Sequence, residues 1–254
     1  MPITPHQLEA GDILFKHASD SFVSKKIRDG QKSHYDKTVE STKMPGPMGR
    51  DLSVDISHVA FAVGRNDVME FDEGGASKKQ IVFGRGHGFV RGNMSLSSRT
   101  GNRYEVFSCS NQKLRDKAVD KAELIWDITH QGNNVTASYG LSKMLGTALK
   151  HNHGKAASTS NKFEKQLNEW LEIGSRSGLS KMFTRKKNIK FFCSEFVTFC
   201  YLWAASETKR GKILGSEYML GVDKSRISPV ELYTRVETTG KAHFSFKGTL
   251  YTPG

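Results

Sequence analysis

The sequence has few of the residues and segments that mark several large classes of protein. It contains three cysteines among 254 residues, and an odd number in a chain of this length does not indicate a disulfide framework. This scarcity favours synthesis in a reducing compartment and leaves at least one thiol free to react. Because it has six prolines and no long polar tract, an extended linker region is not expected.

Long apolar segments are also missing from the sequence. No run of about 18 apolar residues occurs, so we expect no membrane-spanning helix. The N-terminal segment MPITPHQLEAGDILF lacks a basic region followed by an apolar stretch, and it is not a secretory signal peptide. Any export would therefore need a secretion route that does not depend on a signal peptide.

What the sequence does have is positive charge and enough apolar residues for a packed core. Lys and Arg number 38 against 26 Asp and Glu, which gives a net charge of +12. This excess favours an acidic or polyanionic partner such as a lipid or cell-wall surface, although a generally basic surface is the plain alternative. No nucleic-acid-binding motif accompanies the charge, so nucleic acid is not an expected partner.

Several short apolar runs predict strands. Residues 11–15 read as a turn entering a buried strand. The clearest strand is 56–63, which a hairpin turn at 64–67 connects to a return strand at 68–71. Further strands are predicted at 80–83, 104–107, 242–246 and 249–251, with a glycine-rich loop at 84–88.

Apolar residues at helical spacing predict helices in the middle and late parts of the chain. Apolar residues recur at helical intervals in 114–125 and 163–171, and 130–160 reads as a loop or insertion around a short helix at 139–149. Residues 193–203 form an apolar stretch expected to be the central buried helix. Ser228 and Pro229 predict the start of another helix. Strands, then helices, then strands indicate an α+β domain.

Cys193 is the cysteine with the best position for chemistry. A strand-like approach at 190–192 leads directly into the predicted buried helix, so Cys193 lies at its start. The free N–H groups and positive dipole end of a helix start favour a thiolate and could stabilise an oxyanion. The alternative is that Cys193 is a small buried hydrophobe. Cys200 and Cys109 are expected to be core residues.

A thiolate nucleophile needs an imidazole to carry its proton. His58 is the one histidine within a strongly apolar strand, where a ring without a hydrogen-bond partner is costly. His87, in the glycine-rich loop, is a weaker candidate for the base or a residue of the cleft. The remaining histidines in polar segments are expected to be solvated; they are His17, His34, His151 and His153. No second ligand pair completes a metal site with the last two.

Two acids on the return strand could orient the base. If the hairpin loop spans three residues, His58 faces Asp72 and Glu70 is its diagonal neighbour on the same face. A two-residue loop would turn these side chains to the opposite face. The alternative for either acid is an exposed position at the strand edge.

These motifs together resemble the permuted NlpC/P60 superfamily, in particular its YiiX-like group, which is related to the lecithin:retinol acyltransferase group. The resemblance rests on the segments GDIL at 11–14, SHVA at 57–60 and FCSEFV at 192–197, with Glu70 and the later segment at 227–232. In these permuted members the histidine strand precedes the cysteine helix. The resemblance covers roughly residues 10–110 and 188–252.

The resemblance implies a circularly permuted papain-like fold, in which an antiparallel sheet or barrel packs on the cysteine helix. It implies one catalytic domain over 1–254, with a helical insertion at about 112–187. By this match Cys193 is the nucleophile, His58 the base and Glu70 the orienting acid, while Asp12 is a structural or cleft residue. The retinol acyltransferase branch has a second histidine where Glu70 stands. No cofactor or metal is implied.

The expected function is cleavage of an amide or ester through an acyl-thioenzyme. Peptidoglycan peptides, proteins and acyl lipids are the substrate classes that the resemblance implies. The alternatives are an acyltransferase that uses the same cysteine and a non-catalytic binding module. A basic chain without a signal peptide would suit a bacterial effector or toxin, made in the cytoplasm and exported by a specialised secretion system. Such an effector would meet a cognate immunity protein or a host partner.

Overall fold

A computed structural model describes residues 1–17, 27, 29, 56–71, 89–94, 101–130, 135–139, 187–208, 227–237, 240 and 243–252. A short 3-10 turn covers Pro5–Gln7. The strands and helices of the described residues are, in chain order, β1 Pro2–Ile3, β2 Ile13–His17, β3 Ile56–Gly64, β4 Asp67–Phe71, β5 Phe89–Asn93, β6 Arg103–Cys109, α1 Gln112–His130, β7 Val135–Tyr139, β8 Lys187–Phe191, α2 Cys193–Thr208, α3 Pro229–Glu237 and β9 Phe244–Tyr251.

Seven of these strands form one sheet in the order β1-β9-β6-β2-β3-β4-β5. All neighbours in it are antiparallel except β1 and β9, which run parallel. Strands β7 and β8 form a separate parallel pair. The three helices pack against the large sheet or against one another. The predicted α+β class is therefore confirmed, and the permuted papain-like fold stays a prediction.

The core is an aromatic layer between the sheet and α2. Phe196 of α2 packs edge-on against Phe61 of β3, and it packs against Phe71 of β4 with a ring-centre distance of 5.2 Å. All three rings are fully buried. Burial of each such side chain stabilises the fold by about 1.5–3 kcal/mol. This layer joins α2 to β3 and β4, the two strands of the predicted hairpin.

The β3–β4 hairpin combines a short loop with a bulge. Gly64 pairs with Asp67 across the two residues Arg65 and Asn66, and Asn66 adopts a left-handed φ of 62°. The register then shifts between Ala62 and Gly64, so that one extra residue enters β3. Beyond this bulge the strands pair as the sequence predicted for a three-residue loop.

Helix α1 belongs to the main core. Its buried residues repeat at helical spacing, and they are Leu114, Ala118, Ala122, Ile125 and Ile128. They pack in the same apolar cluster as α2. Of the predicted helical insertion at 112–187, the structure describes α1, the strand Val135–Tyr139 and the first residue of β8.

Some predicted boundaries differ from the structure. The two strands expected at 242–246 and 249–251 are one strand, Phe244–Tyr251, because a bulge absorbs the irregularity between them: Val106 pairs with Gly248 and Phe107 with Phe246, so Lys247 is an extra residue in β9, and Gly248 has a positive φ of 155°. Strands β5 and β7 were not predicted; β7 lies in the segment interpreted as a loop or short helix. The predicted strand at 80–83 and helix at 163–171 lie outside the described residues.

Candidate active site

Cys193 is the first residue of α2, as the sequence predicted. Strand β8 ends at Phe191, Phe192 follows, and the first helical hydrogen bond runs from the Phe196 N–H to the Phe192 carbonyl. The N–H groups of a first helical turn have no partner within the helix. Cys193 therefore lies where backbone donors and the helix dipole favour negative charge.

His58 and Glu70 form a buried hydrogen-bonded pair on neighbouring strands. The distance from Nε2 of His58 to Oε2 of Glu70 is 2.7 Å, and both side chains are largely buried. The register beyond the bulge makes Glu70 a diagonal neighbour of His58, so both side chains lie on one face. The carboxylate thus holds the ring through Nε2 and leaves Nδ1 available to another group.

Cys193 is close enough to His58 for its charge and side chain to act on the pKa of the ring. Burial alone lowers the pKa of His58, but the charge and hydrogen bond of Cys193, together with those of Glu70, outweigh it and hold the pKa well above its usual value. The structure thus brings together the three residues that the sequence singled out.

A second bulge lies beside His58. Lys16 pairs with His58, whereas the next residue of β2, His17, pairs with Ile56, so Ser57 is an extra residue in β3. A bulge bends its strand and changes the direction of nearby side chains. This bulge therefore influences the direction of the His58 imidazole relative to the Cys193 sulfur.

The sulfur of Cys193 is close to the imidazole but closed to solvent. Cys193 has no exposed surface, and neither has Cys200 seven residues further along α2. Cys109 is also buried, so both of these other cysteines are core residues as expected. Burial raises the pKa of both the Cys200 and the Cys109 thiols. A substrate reaches Cys193 only after the side chains around it move.

Of the other predicted site residues, the structure describes Asp12. Asp12 is fully buried, and its Oδ2 accepts hydrogen bonds from the Glu9 backbone N–H at 2.9 Å and from Nζ of Lys247 at 3.0 Å. It adjoins Ala62, about 13 Å along β3 from His58 at 3.3 Å per residue. Asp12 is thus a structural residue. Asp72 and His87 lie outside the described residues.

A second histidine–carboxylate pair was missed by the sequence analysis. His17 was expected to be solvated, but its Nε2 lies 3.1 Å from Oε1 of Glu105, and both side chains are largely buried. The Tyr233 hydroxyl donates to the other oxygen of Glu105 at 2.6 Å. The signal was the alternation of Ile13 and Phe15, which places His17 on the same core-facing side of β2.

Glu105 is expected to make folding stability depend on pH. Burial raises the pKa of Glu105, but hydrogen bonds from His17 and Tyr233 and the charges of His17 and Arg103 give it a net lowered pKa. The unfolded chain therefore takes up the proton first as the pH falls. The stabilisation is complete above the unfolded pKa of about 4.3 and is lost as the pH falls through the lowered folded value.

We expect Glu105→Gln to lower the free energy of unfolding at pH 7 by about 1.5–3 kcal/mol, the range for a hydrogen bond to a charged group. The loss should shrink as the pH falls below 4, as urea unfolding at several pH values would measure. Glu207→Gln, in a half-exposed ion pair with Lys121, is the control and should cost under about 1 kcal/mol. Equal losses in the two variants at pH 7 would contradict the prediction.

Comparison with protein-family models, curated proteins and solved structures finds no match for this chain. The resemblance of its motifs to the permuted NlpC/P60 superfamily therefore stays a prediction. Within the described residues no three His, Cys, Asp or Glu side chains are grouped so that they could hold a metal ion. None of the described helices has the length and apolar character needed to cross a membrane.

Proposed function

We propose that this protein is a thiol hydrolase that cleaves an amide or ester bond through Cys193, His58 and Glu70. The observation that carries the proposal is the buried hydrogen bond between His58 and Glu70, with Cys193 at the start of α2 close enough to act on the pKa of His58. A nucleophile, its base and a group that orients the base are the parts that covalent acyl transfer requires. The raised pKa of His58 favours an imidazolium beside the Cys193 sulfur.

The reaction follows from the roles of these groups. The Cys193 thiolate forms a bond to the carbonyl carbon, and the negative oxygen of the tetrahedral intermediate lies near the N–H groups of the first turn of α2. The His58 imidazolium gives its proton to the leaving nitrogen or oxygen, and a thioester remains. Water then attacks the thioester while His58 takes its proton, and the acid product leaves as the thiolate returns.

Glu70 acts on this reaction by holding the ring. Because its carboxylate accepts the Nε2 proton, the neutral ring carries its lone pair on Nδ1. The carboxylate also stabilises the imidazolium that forms during the reaction. Asp72, the alternative third member that the sequence offered, lies outside the described residues.

The family resemblance supports the same assignment and suggests the substrate classes. A histidine strand that precedes a cysteine helix is the order of the permuted papain-like members. Peptidoglycan peptides, proteins and acyl lipids remain the proposed substrates, and an anionic cell-wall or lipid surface is a fitting partner for a chain of net charge +12. Export as a bacterial effector is part of this proposal.

Acyl transfer is the second candidate, and the burial of Cys193 favours it. Because the sulfur has no exposed surface, a thioester formed there would be shielded from water until an amine or hydroxyl acceptor arrived. A mass increase on Cys193 that persists in water after incubation with an acyl lipid would favour transfer. Rapid loss of the same adduct would favour hydrolysis.

The test of the proposal is turnover of peptidoglycan and of acyl lipids by the wild type and by Cys193→Ala. We expect the substitution to abolish turnover, because it removes the atom that forms the thioester. Cys200→Ala is the matched control, since Cys200 lies on the same helix and is equally buried; it should retain turnover. Equal turnover by wild type and Cys193→Ala would exclude the proposed mechanism.

A further inference from the structure

The residue that follows the proposed nucleophile makes a buried contact with a distant segment. The Ser194 hydroxyl donates to the backbone carbonyl of Ile227 at a distance of 2.7 Å, across 33 positions of sequence. Ser194 and Ile227 are both fully buried. A neutral hydrogen bond of this length in a dry setting fixes the relative position of the two backbones that it joins.

The segment that accepts this hydrogen bond is itself held firmly. Pro229 is the first residue of α3, and its ring fixes the backbone there. The Ser228 hydroxyl accepts the Glu231 N–H at 3.2 Å and caps the same helix. Helix α3 packs on β3, the strand that carries His58. Ile227 is thus fixed relative to the proposed base.

The first turn of α2 needs such an anchor. Phe192 precedes the helix, and its side chain has no oxygen that could act as an N-cap. First turns without a side-chain cap fray more readily. The Ser194 hydroxyl instead ties this turn, and with it Cys193, to the segment before α3.

We propose that Ser194 is a positioning residue that holds the Cys193 sulfur within reach of the His58 imidazole. The inference rests on the proposed function, because it assigns a role to Ser194 only through the Cys193–His58 pair. Loss of the hydroxyl lets the first turn of α2 move, which takes the sulfur away from the imidazole. Cys193 then reacts more slowly with an alkylating reagent.

The experiment measures the rate of alkylation of Cys193 by iodoacetamide from pH 5 to 9, with peptide mass spectrometry to identify the labelled thiol. In Ser194→Ala we expect the rate at pH 6 to fall about tenfold, which corresponds to a shift of about one pH unit in the profile. Ser194→Thr keeps the hydroxyl donor and should keep the wild-type profile. Ser110→Ala is the matched control, since its hydroxyl also donates to a distant backbone carbonyl, that of His243 at 3.1 Å, but beside the ends of β6 and β9 rather than at α2; it should keep the wild-type profile.

Thermal unfolding of each variant separates positioning from stability. If Ser194→Ala lowers the unfolding temperature but keeps the wild-type alkylation profile, as Ser110→Ala should, Ser194 is merely structural and the inference is overturned. Failure of Ser194→Ala to fold, or an altered profile in Ser194→Thr, which keeps the donor, also overturns it. A wild-type profile that follows an ordinary thiol would instead contradict the proposed function itself.

Discussion

In the folded wild-type protein, iodoacetamide should alkylate Cys193 at pH 6 about 100-fold faster than Cys200. The thiolate is the reactive form, and an ordinary thiol with a pKa of about 8.5 is less than about 1% ionised at this pH. Cys193 lies at a helix start with the His58 imidazole nearby, and both favour negative charge on sulfur, whereas burial raises the pKa of the Cys200 thiol. Peptide mass spectrometry after timed quenching measures both rates in one sample.

Cys200 is a demanding control because neither sulfur is exposed. Iodoacetamide reaches either thiol only after side chains around α2 move, so access must be separated from the reactivity of the sulfur. Labelling in urea gives the alkylation rate of each thiol in the unfolded chain for comparison. Equal labelling of Cys193 and Cys200 in the folded chain would mean that Cys193 is a buried hydrophobe. The chain would then be the non-catalytic module that the sequence left as an alternative.

His58→Ala should reduce turnover of the amide or ester substrate by about 10²–10⁴-fold, the range for loss of a general acid–base group. It should also remove the alkylation of Cys193 at pH 6, because the raised pKa of His58 supplies the imidazolium that stabilises the thiolate. Below the ordinary thiol pKa, alkylation of the variant should fall tenfold for each pH unit.

Glu70→Gln should give a smaller loss of turnover than His58→Ala, since it leaves the imidazole in place.

The chain offers a matched control in His17, which also bonds a buried glutamate on a neighbouring strand through Nε2. His17→Ala should lower the free energy of unfolding but leave alkylation of Cys193 and turnover within about twofold of the wild type, because the pair that it breaks joins β2 to β6 and is not the His58–Glu70 pair. If His17→Ala and His58→Ala reduce turnover to the same extent, the assignment of His58 as the base is wrong.

Sequence patterns predicted the elements that carry the candidate site. The apolar run in β3, the start of α2 at Cys193 and the proline start of α3 all depend on residues within a few positions of one another. Such patterns reflect local backbone preferences and the faces that strands and helices bury. They failed at residues 247–248, which the prediction left between two strands, because β9 pairs with β6 on both sides of this point.

By itself, the sequence determined the α+β class, the central helix and the choice of Cys193, His58 and Glu70 as candidates. Tertiary structure alone decided that these side chains meet, because a single extra residue beside Ala62 sets the faces of β3 and β4, and a one-residue shift would have separated His58 from Glu70. It also decided that His17 pairs with Glu105, since no local pattern specifies contacts between residues that are distant in the chain and joined only by packing.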